Sequence, residues 1–301
     1  MTNKKWNGLR SVELRVPDVA ANERFYTETW KLTKVAEEAG AVYLRGLGTY
    51  HHVLALYPHI KTELLSITFQ AATRSDVDTL QASVKTHGAA ATAPGAIAEP
   101  GGGYGFSFKD PDGHVFRVLA EDALWPAALP DRDGPERLAH VVLNSADADR
   151  ATRFFVEALG FKLSDQSRIM DFVRCNSDHH NIAFVRASGN TLHHIAFQMA
   201  DLDAVMCGAG RMKDSGHPIE WGVGRHGPGN NVFAYFLGPD AVPIEYTAEV
   251  QQVDDSYAFH GPEYWGFPAG RTDQWGLTAP PSERMHAAHL KIGFPERLPG
   301  G

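Results

Sequence analysis

Leu192-His193-His194-Ile195-Ala196-Phe197-Gln198 alternates as a β-strand does, with Ile195 and Phe197 on one face and His194 and Ala196 on the other. An earlier stretch, Leu64-Leu65-Ser66-Ile67-Thr68-Phe69-Gln70, keeps the same pattern with different chemistry. Two more blocks repeat around this pair. Arg10-Ser11-Val12-Glu13-Leu14-Arg15-Val16 aligns with Arg137-Leu138-Ala139-His140-Val141-Val142-Leu143, and Pro111 to Val118 aligns with Pro239 to Tyr246. The spacing from Ser66 to Arg117 is 51 residues, as it is from His194 to Glu245. The first-to-second spacing is 53 residues in one half and 54 in the other. The chain is an internal duplication.

At the three aligned positions the first half carries Glu13, Ser66 and Arg117, and the second carries His140, His194 and Glu245. Two neutral imidazoles and one carboxylate form the donor set that holds a divalent metal on one face and leaves other positions open. With 15 histidines in the chain, an isolated one is by default an ordinary surface or core residue. These differ because the duplicate replaces all three ligands together, and because each lies on a strand whose apolar neighbours, such as Val141 and Ile195, face the other way. His193, one residue out of phase, reads as a hydrogen-bonded structural residue.

Composition narrows the class. With 301 residues, 43% of them hydrophobic and 10% aromatic, the chain can build two domains with cores of their own. A formal net charge of −8 argues against a nucleic-acid surface, which needs a basic stripe. No stretch approaches the roughly 18 consecutive apolar residues of a membrane span. The segment Met1 to Asn7 lacks the apolar core of a signal peptide. Two cysteines, Cys175 and Cys207, make a disulfide framework an improbable design and fit a reducing cytoplasm.

Each half reads as strand, helix, then several strands. Ser11 to Val16 is strand-like, and Pro17-Asp18 starts a helix with Ala20, Phe25 and Tyr26 inward. Ala139 to Leu143 repeats the strand, Asn144-Ser145 offers a helix cap, and Gly160 ends the helix that follows. Val42 to Leu44, Val53 to Leu56 and Ile182 to Val185 are strand-like, and second helices are expected around Val77 to Val84 and Leu202 to Met212. The fold expected is α+β, with four tandem βαβββ modules paired into two domains, 1–130 and 131–250, joined by the turn-rich Leu129 to Pro135. The tail, 251–301, holds Tyr257, Tyr264, Trp265 and Trp275, too aromatic for a disordered extension, and is expected to cover the second-half site. Pro100 to Gly105 lacks the Lys-Ser/Thr of a phosphate loop and aligns with Gly227-Pro228-Gly229.

Over about residues 8 to 250 the sequence resembles the vicinal oxygen chelate superfamily, which includes glyoxalase, bleomycin-resistance and dioxygenase domains. Within it the likeness is to type I extradiol ring-cleavage dioxygenases of the catechol 2,3-dioxygenase kind. Their ligand signature, a His in the first strand, a His-His-hydrophobic block and a Glu in an apolar-Glu-Tyr strand, matches His140, His194 and Glu245. Cys175 to Phe184 resembles the segment bearing the acid–base histidine, which falls on His180. Gly224-Arg225-His226 with Asn230-Asn231 resembles the segment of the second active-site histidine, His226, and Tyr235 falls where the family has a tyrosine. Ala241 and Pro243 depart from the usual Gly-containing turn before the carboxylate strand.

Each of these has a plainer reading. His180 aligns with His52 in the half without ligands, so part of its placement is inherited architecture; Tyr235 by default is core, and His226 a solvated loop residue. Arg225 suits a substrate carboxylate or an acidic neighbour equally. What the resemblance implies is a soluble homo-oligomer, tetramer or larger, that cleaves a catecholic diol with O2 at Fe(II), with Mn(II) compatible with the same donors. His180, His226 and Tyr235 would be catalytic. The rivals are a glyoxalase-like isomerase or epimerase, which draws ligands from both halves, and a bleomycin-resistance-type binding protein, which has no use for a complete triad.

Overall fold

The computed structural model describes residues 5–126 and 134–298, so most of the expected linker lies outside the described residues. Two mixed sheets repeat one topology. The second runs Lys162–Gln166, Met170–Arg174, Ile182–Arg186, Arg137–Ser145, Leu192–Gln198, Pro243–Ala248, Val232–Leu237, Trp221–Arg225. The first has the same order, centred on Trp6–Val16, Glu63–Ala71 and Val115–Ala120, with a small extra strand, Gly95–Ala96, at its end. Each sheet joins two βαβββ modules through the antiparallel pairing of its two central strands. The α+β architecture of four modules in two domains is the observed one.

Alternation along the strands separates core from site. Val141 and Leu143, Ile195 and Phe197, and Ile244 and Tyr246 enter the main apolar cluster, as do Val12, Leu14, Ile67, Phe69, Phe116 and Val118 of the first half. Each helix packs on its own half's sheet, and the halves meet through helix Arg74–Thr86 against helix Ala148–Leu159 and through aromatic side chains that reach across. Trp30, after the first helix, stacks on Tyr246 of the second sheet at 3.7 Å with planes 10° apart. Phe155 of helix Ala148–Leu159 packs edge-on against Phe69 and Phe116 of the first. Trp6 Nε1 donates to Leu159 O at 2.9 Å. Composition suggested two separate cores; in the structure one main apolar cluster spans both halves, because side chains such as Trp30 and Phe155 reach the other half's sheet.

The local signals fared unevenly. Asp18 caps helix Val19–Arg24, and Gly160 ends Ala148–Leu159 in the left-handed conformation, φ 71°. The second helices are Arg74–Thr86 and Leu202–Asp214. Asn144-Ser145 is not the cap: the strand runs through Ser145, and Asp147 accepts from the Arg150 N–H instead. The Gly-less turn before Glu245 is made by Asp240 and Ala241, both at positive φ, and the strand beyond it forms.

Pairing also corrects one alignment. Ser11 lies across from Thr68 as His140 lies across from Ala196, while Glu13 pairs with Ser66 as Val142 pairs with His194. The counterpart of His140 is therefore Ser11, and Glu13 sits two residues further on the same face. The blocks at Ser66 and Arg117 keep their alignment, since Thr68 pairs with Arg117 as Ala196 pairs with Glu245.

Candidate metal centre

His140, His194 and Glu245 stand on three adjacent strands, on the face away from the apolar core, and all are buried. Their inner atoms form a nearly equilateral triangle. His140 Nε2 is 3.2 Å from Glu245 Oε2, His194 Nε2 is 3.1 Å from the same oxygen, and the two Nε2 atoms are 3.3 Å apart. Three electron-pair donors facing one another without a cation repel. A facial set on a divalent ion with bonds of about 2.1 Å places its donors about 3 Å apart. The residues present fit such an ion.

The electrostatics agree. Burial alone would raise the Glu245 carboxyl, but His140 and His194 outweigh it and hold the group well below the usual carboxylate range. Burial pushes His194 down, opposed by Glu245, so both arrive in the deprotonated forms a metal requires. His194 Nδ1 lies 2.7 Å from His193 Nδ1, and His193 stacks on His289 at 3.6 Å. A neutral His194 that ligates through Nε2 carries its proton on Nδ1 and donates it to His193. His193 is hydrogen-bonded, as expected, and its partner is His194.

The other predicted residues gather around the triangle. The His180 ring is 4.3 Å from that of His140, centre to centre. Burial first, then the neighbouring imidazoles of His140, His179, His226 and His194, hold it well below the normal histidine range, so it is neutral. Tyr235 pairs across the sheet with Glu245. Burial, and then the Glu245 charge, raise its phenol far above normal and keep it protonated. His226 Nε2 is 3.0 Å from the Tyr235 hydroxyl and 4.0 Å from Glu245 Oε1, and burial brings its pKa down to about 4 despite Glu245.

Several neighbours escaped sequence reasoning. Phe233 stacks on His226 at 4.0 Å and Trp221 on Tyr235 at 5.0 Å, forming an aromatic wall. Asn231 Nδ2 reaches Thr247 at 2.8 Å and Glu245 Oε1 at 3.5 Å. The pairing of Trp221 with Tyr235 across two strands has no local signature. Arg225 is engaged by Glu249 and Asn230 O and lies against Trp275, so its contacts are those of an acidic neighbour.

The tail packs on the same side. Trp265 and Phe267 lie against Gly227, Gln274 donates to His226 O, and Met285 of helix Glu283–Ala288 joins Phe233, Tyr235 and Leu237 in one cluster.

The equivalent face of the first half is occupied differently. The Glu13 carboxylate accepts from Ser11 at 2.5 Å, Ser66 at 2.7 Å and Thr68 at 2.8 Å. Arg117 makes a bidentate pair with Glu99, both contacts at 2.9 Å. A guanidinium at the place of Glu245 excludes a cation there.

Paired βαβββ modules that carry a two-His, one-Glu cluster, a candidate metal site, in a single half make an asymmetric duplicated design. The chain belongs to the Glyoxalase/Bleomycin resistance protein/Dioxygenase superfamily, whose family model matches residues 8–118 and 137–246. It is 32% identical over 199 residues to metapyrocatechase 2 of Cupriavidus necator, covering 58% of this chain and 62% of that one. It is 28% identical over 198 residues to 3-methylcatechol 2,3-dioxygenase of Pseudomonas putida, covering 59% and 68%. The Mn(II)-bound glyoxalase structure from Novosphingobium aromaticivorans superposes with a TM-score of 0.87 at 36% identity, covering 98% of this chain and 97% of that one. The chain thus spans less than two thirds of the length of the first of these relatives and nearly all of the third.

Proposed function

We propose that the chain is an extradiol dioxygenase that opens the ring of a catecholic diol beside its hydroxyls. The observation that carries this reading is the buried triangle of His140, His194 and Glu245, with edges of 3.1 to 3.3 Å, ringed by His180, His226 and Tyr235. The relatives named metapyrocatechase 2 and 3-methylcatechol 2,3-dioxygenase support it. Fe(II) held by the three ligands would supply the template and the electron path between diol and O2. Both atoms of O2 enter the product, a muconic semialdehyde, so no external reductant is needed.

The chain's own groups do the rest. Neutral His180 takes a proton from a bound diol and returns it as the ring opens. Tyr235, held protonated, donates to negative charge that develops on a substrate oxygen. His226, 3.0 Å away at Nε2, donates its N–H to the Tyr235 oxygen and leaves the phenol proton for the substrate. Phe233 and Trp221 give the diol ring an apolar wall, and the tail over Gly227 limits water. A homo-oligomer in a reducing cytoplasm completes the reading; among the described residues no helix is long and apolar enough to cross a membrane.

A second reading, a Mn(II)-dependent glyoxalase-type isomerase, rests on the full-length likeness to the Novosphingobium structure. One experiment separates them. The protein is reconstituted anaerobically with Fe(II), and separately with Mn(II), then mixed with catechol or 3-methylcatechol in air. O2 uptake with a yellow product, absent in His194→Ala, supports the dioxygenase. Turnover of a thiol adduct of a 2-oxoaldehyde without O2 uptake supports the isomerase.

A further inference from the structure

Asp165 is a fully buried carboxylate on an edge strand, two imidazoles away from the candidate metal centre. Its Oδ2 lies 2.7 Å from His179 Nε2 and accepts from the Tyr257 hydroxyl at 2.9 Å. Its Oδ1 accepts from the His260 backbone N–H at 2.9 Å and lies 3.2 Å from His260 Nδ1. His179, also fully buried, places Nδ1 at 3.1 Å from Nδ1 of His180. The line Asp165–His179–His180 ends beside His140.

We propose that Asp165 and His179 are positioning residues that fix His180 as its Nδ1–H tautomer and leave its Nε2 as the lone-pair base of the site. This rests on the dioxygenase reading for its catalytic meaning, but not for its geometry.

A carboxylate only accepts, so His179 must carry its proton on Nε2 to meet Asp165. In a neutral His179 the Nδ1 is then a lone pair, and only an Nδ1–H on His180 satisfies the 3.1 Å contact. A neutral imidazole that donates from Nδ1 holds its other lone pair on Nε2, across the ring. The logic is that of a buried aspartate setting a catalytic histidine's tautomer.

The duplicate half supplies a control. His51 and His52 keep the same contact, Nδ1 to Nδ1 at 3.0 Å, so the paired histidines alone are inherited architecture. The residue equivalent to Asp165 is Ala36: Asp165 pairs with Phe172 as Ala36 pairs with Tyr43. The buried acid occurs only in the half that holds the triad. Tyr257 and His260, which fasten it, come from the tail beyond the repeats.

Asp165→Asn turns the line around. The His260 N–H keeps an oxygen at the Oδ1 position, so the new amide N–H2 faces His179 Nε2. His179 must then present a lone pair there and move its proton to Nδ1, which leaves His180 protonated on Nε2. The test is 15N histidine NMR of the full chain, metal-free and loaded with diamagnetic Zn(II), with His180 assigned by comparison with His180→Ala. The expected result is Nδ1–H at His180 in the wild type and Nε2–H in Asp165→Asn. With Fe(II) loaded, kcat for catechol falls roughly 100-fold or more in Asp165→Asn while KM changes less than about 3-fold. An Nε2–H or doubly protonated His180 in the wild type overturns the proposal whether or not the variant folds, as does an unchanged tautomer in a folded Asp165→Asn. Wild-type protein that fails on every diol but shows Nδ1–H at His180 sinks the dioxygenase reading and leaves the tautomer assignment standing.

Discussion

Gly229 lies against His180: its φ is 79°, and a Cβ added there would sit 3.0 Å from His180 Cε1. In the duplicate half Gly101, at φ 98°, would instead place a Cβ 2.9 Å from Cγ of His51, the counterpart of His179. Gly229→Ala is expected to cost about 1–3 kcal/mol through strained backbone and contact, and to displace His180, lowering kcat at least tenfold. Gly101→Ala should cost comparable stability with kcat unchanged. Urea midpoints and steady-state rates on both variants check this, and an equal loss of activity in both would place the effect in stability alone.

The triangle of donors predicts one divalent ion per chain. Isothermal titration with Mn(II) or anaerobic Fe(II) should give a single site in the wild type, lost in His194→Ala and weakened at least 100-fold in Glu245→Gln. Glu13→Gln and Ser66→Ala, on the duplicate face, should leave metal binding intact. Retained stoichiometric binding in His194→Ala would remove the site from the triangle.

Tyr235 is poised as a neutral donor beside Glu245. Tyr235→Phe keeps the ring that stacks on Trp221 at 5.0 Å and removes only the hydroxyl. The expected outcome is a fall in kcat of about 10- to 1000-fold with metal binding unchanged. Parallel metal titration and O2-uptake rates separate the two.

Acid should destabilise the metal-free protein in a defined window. Burial lowers His226 to about 4 and His289 to about 3, so both fold neutral. Below their ordinary value of about 6.5 the unfolded chain binds protons that the folded chain does not. Stability contributed by these groups is therefore full above about 6.5 and lost as pH falls toward 4 and then 3. Glu245, held well below its usual range, adds a loss at lower pH, as acid reaches its folded-state pKa. Urea midpoints from pH 7 to pH 4 should fall, and His289→Asn should flatten part of the slope.

Trp30 joins the halves through its stack on Tyr246, the residue after Glu245. Trp30→Ala is expected to destabilise the protein by about 3–5 kcal/mol. Because the core is continuous, fluorescence and circular dichroism should report one coincident unfolding transition in wild type and variant. Two separated transitions would show independent halves.

The duplication, the module order and the clustering of His140, His194 and Glu245 were legible because they are written locally. Strand alternation turned His194 and Glu245 away from Ile195 and Ile244. An exact spacing of 51 residues tied the second and third ligands to their counterparts. His180, His226 and Tyr235 were legible only through a resemblance, since nothing in their spacing shows that loop, strand and turn meet. The first block slipped by two residues, and alternation could not detect it, because a shift of two keeps every side chain on its face.

The amino-acid order by itself determined which half carries a two-His, one-Glu set, since the other half offers Glu13, Ser66 and Arg117, with Ser11 replacing Glu13 only once the strands pair. Only the tertiary structure decided how that half closes its site, with three hydroxyls on Glu13 and Glu99 on Arg117. It alone brought Asp165 within 2.7 Å of His179 and fastened the pair with Tyr257 and His260 of the tail. The reason is physical. Side-chain face and strand register follow from near neighbours in the chain, whereas a buried acid is tolerated only where distant segments supply its donors.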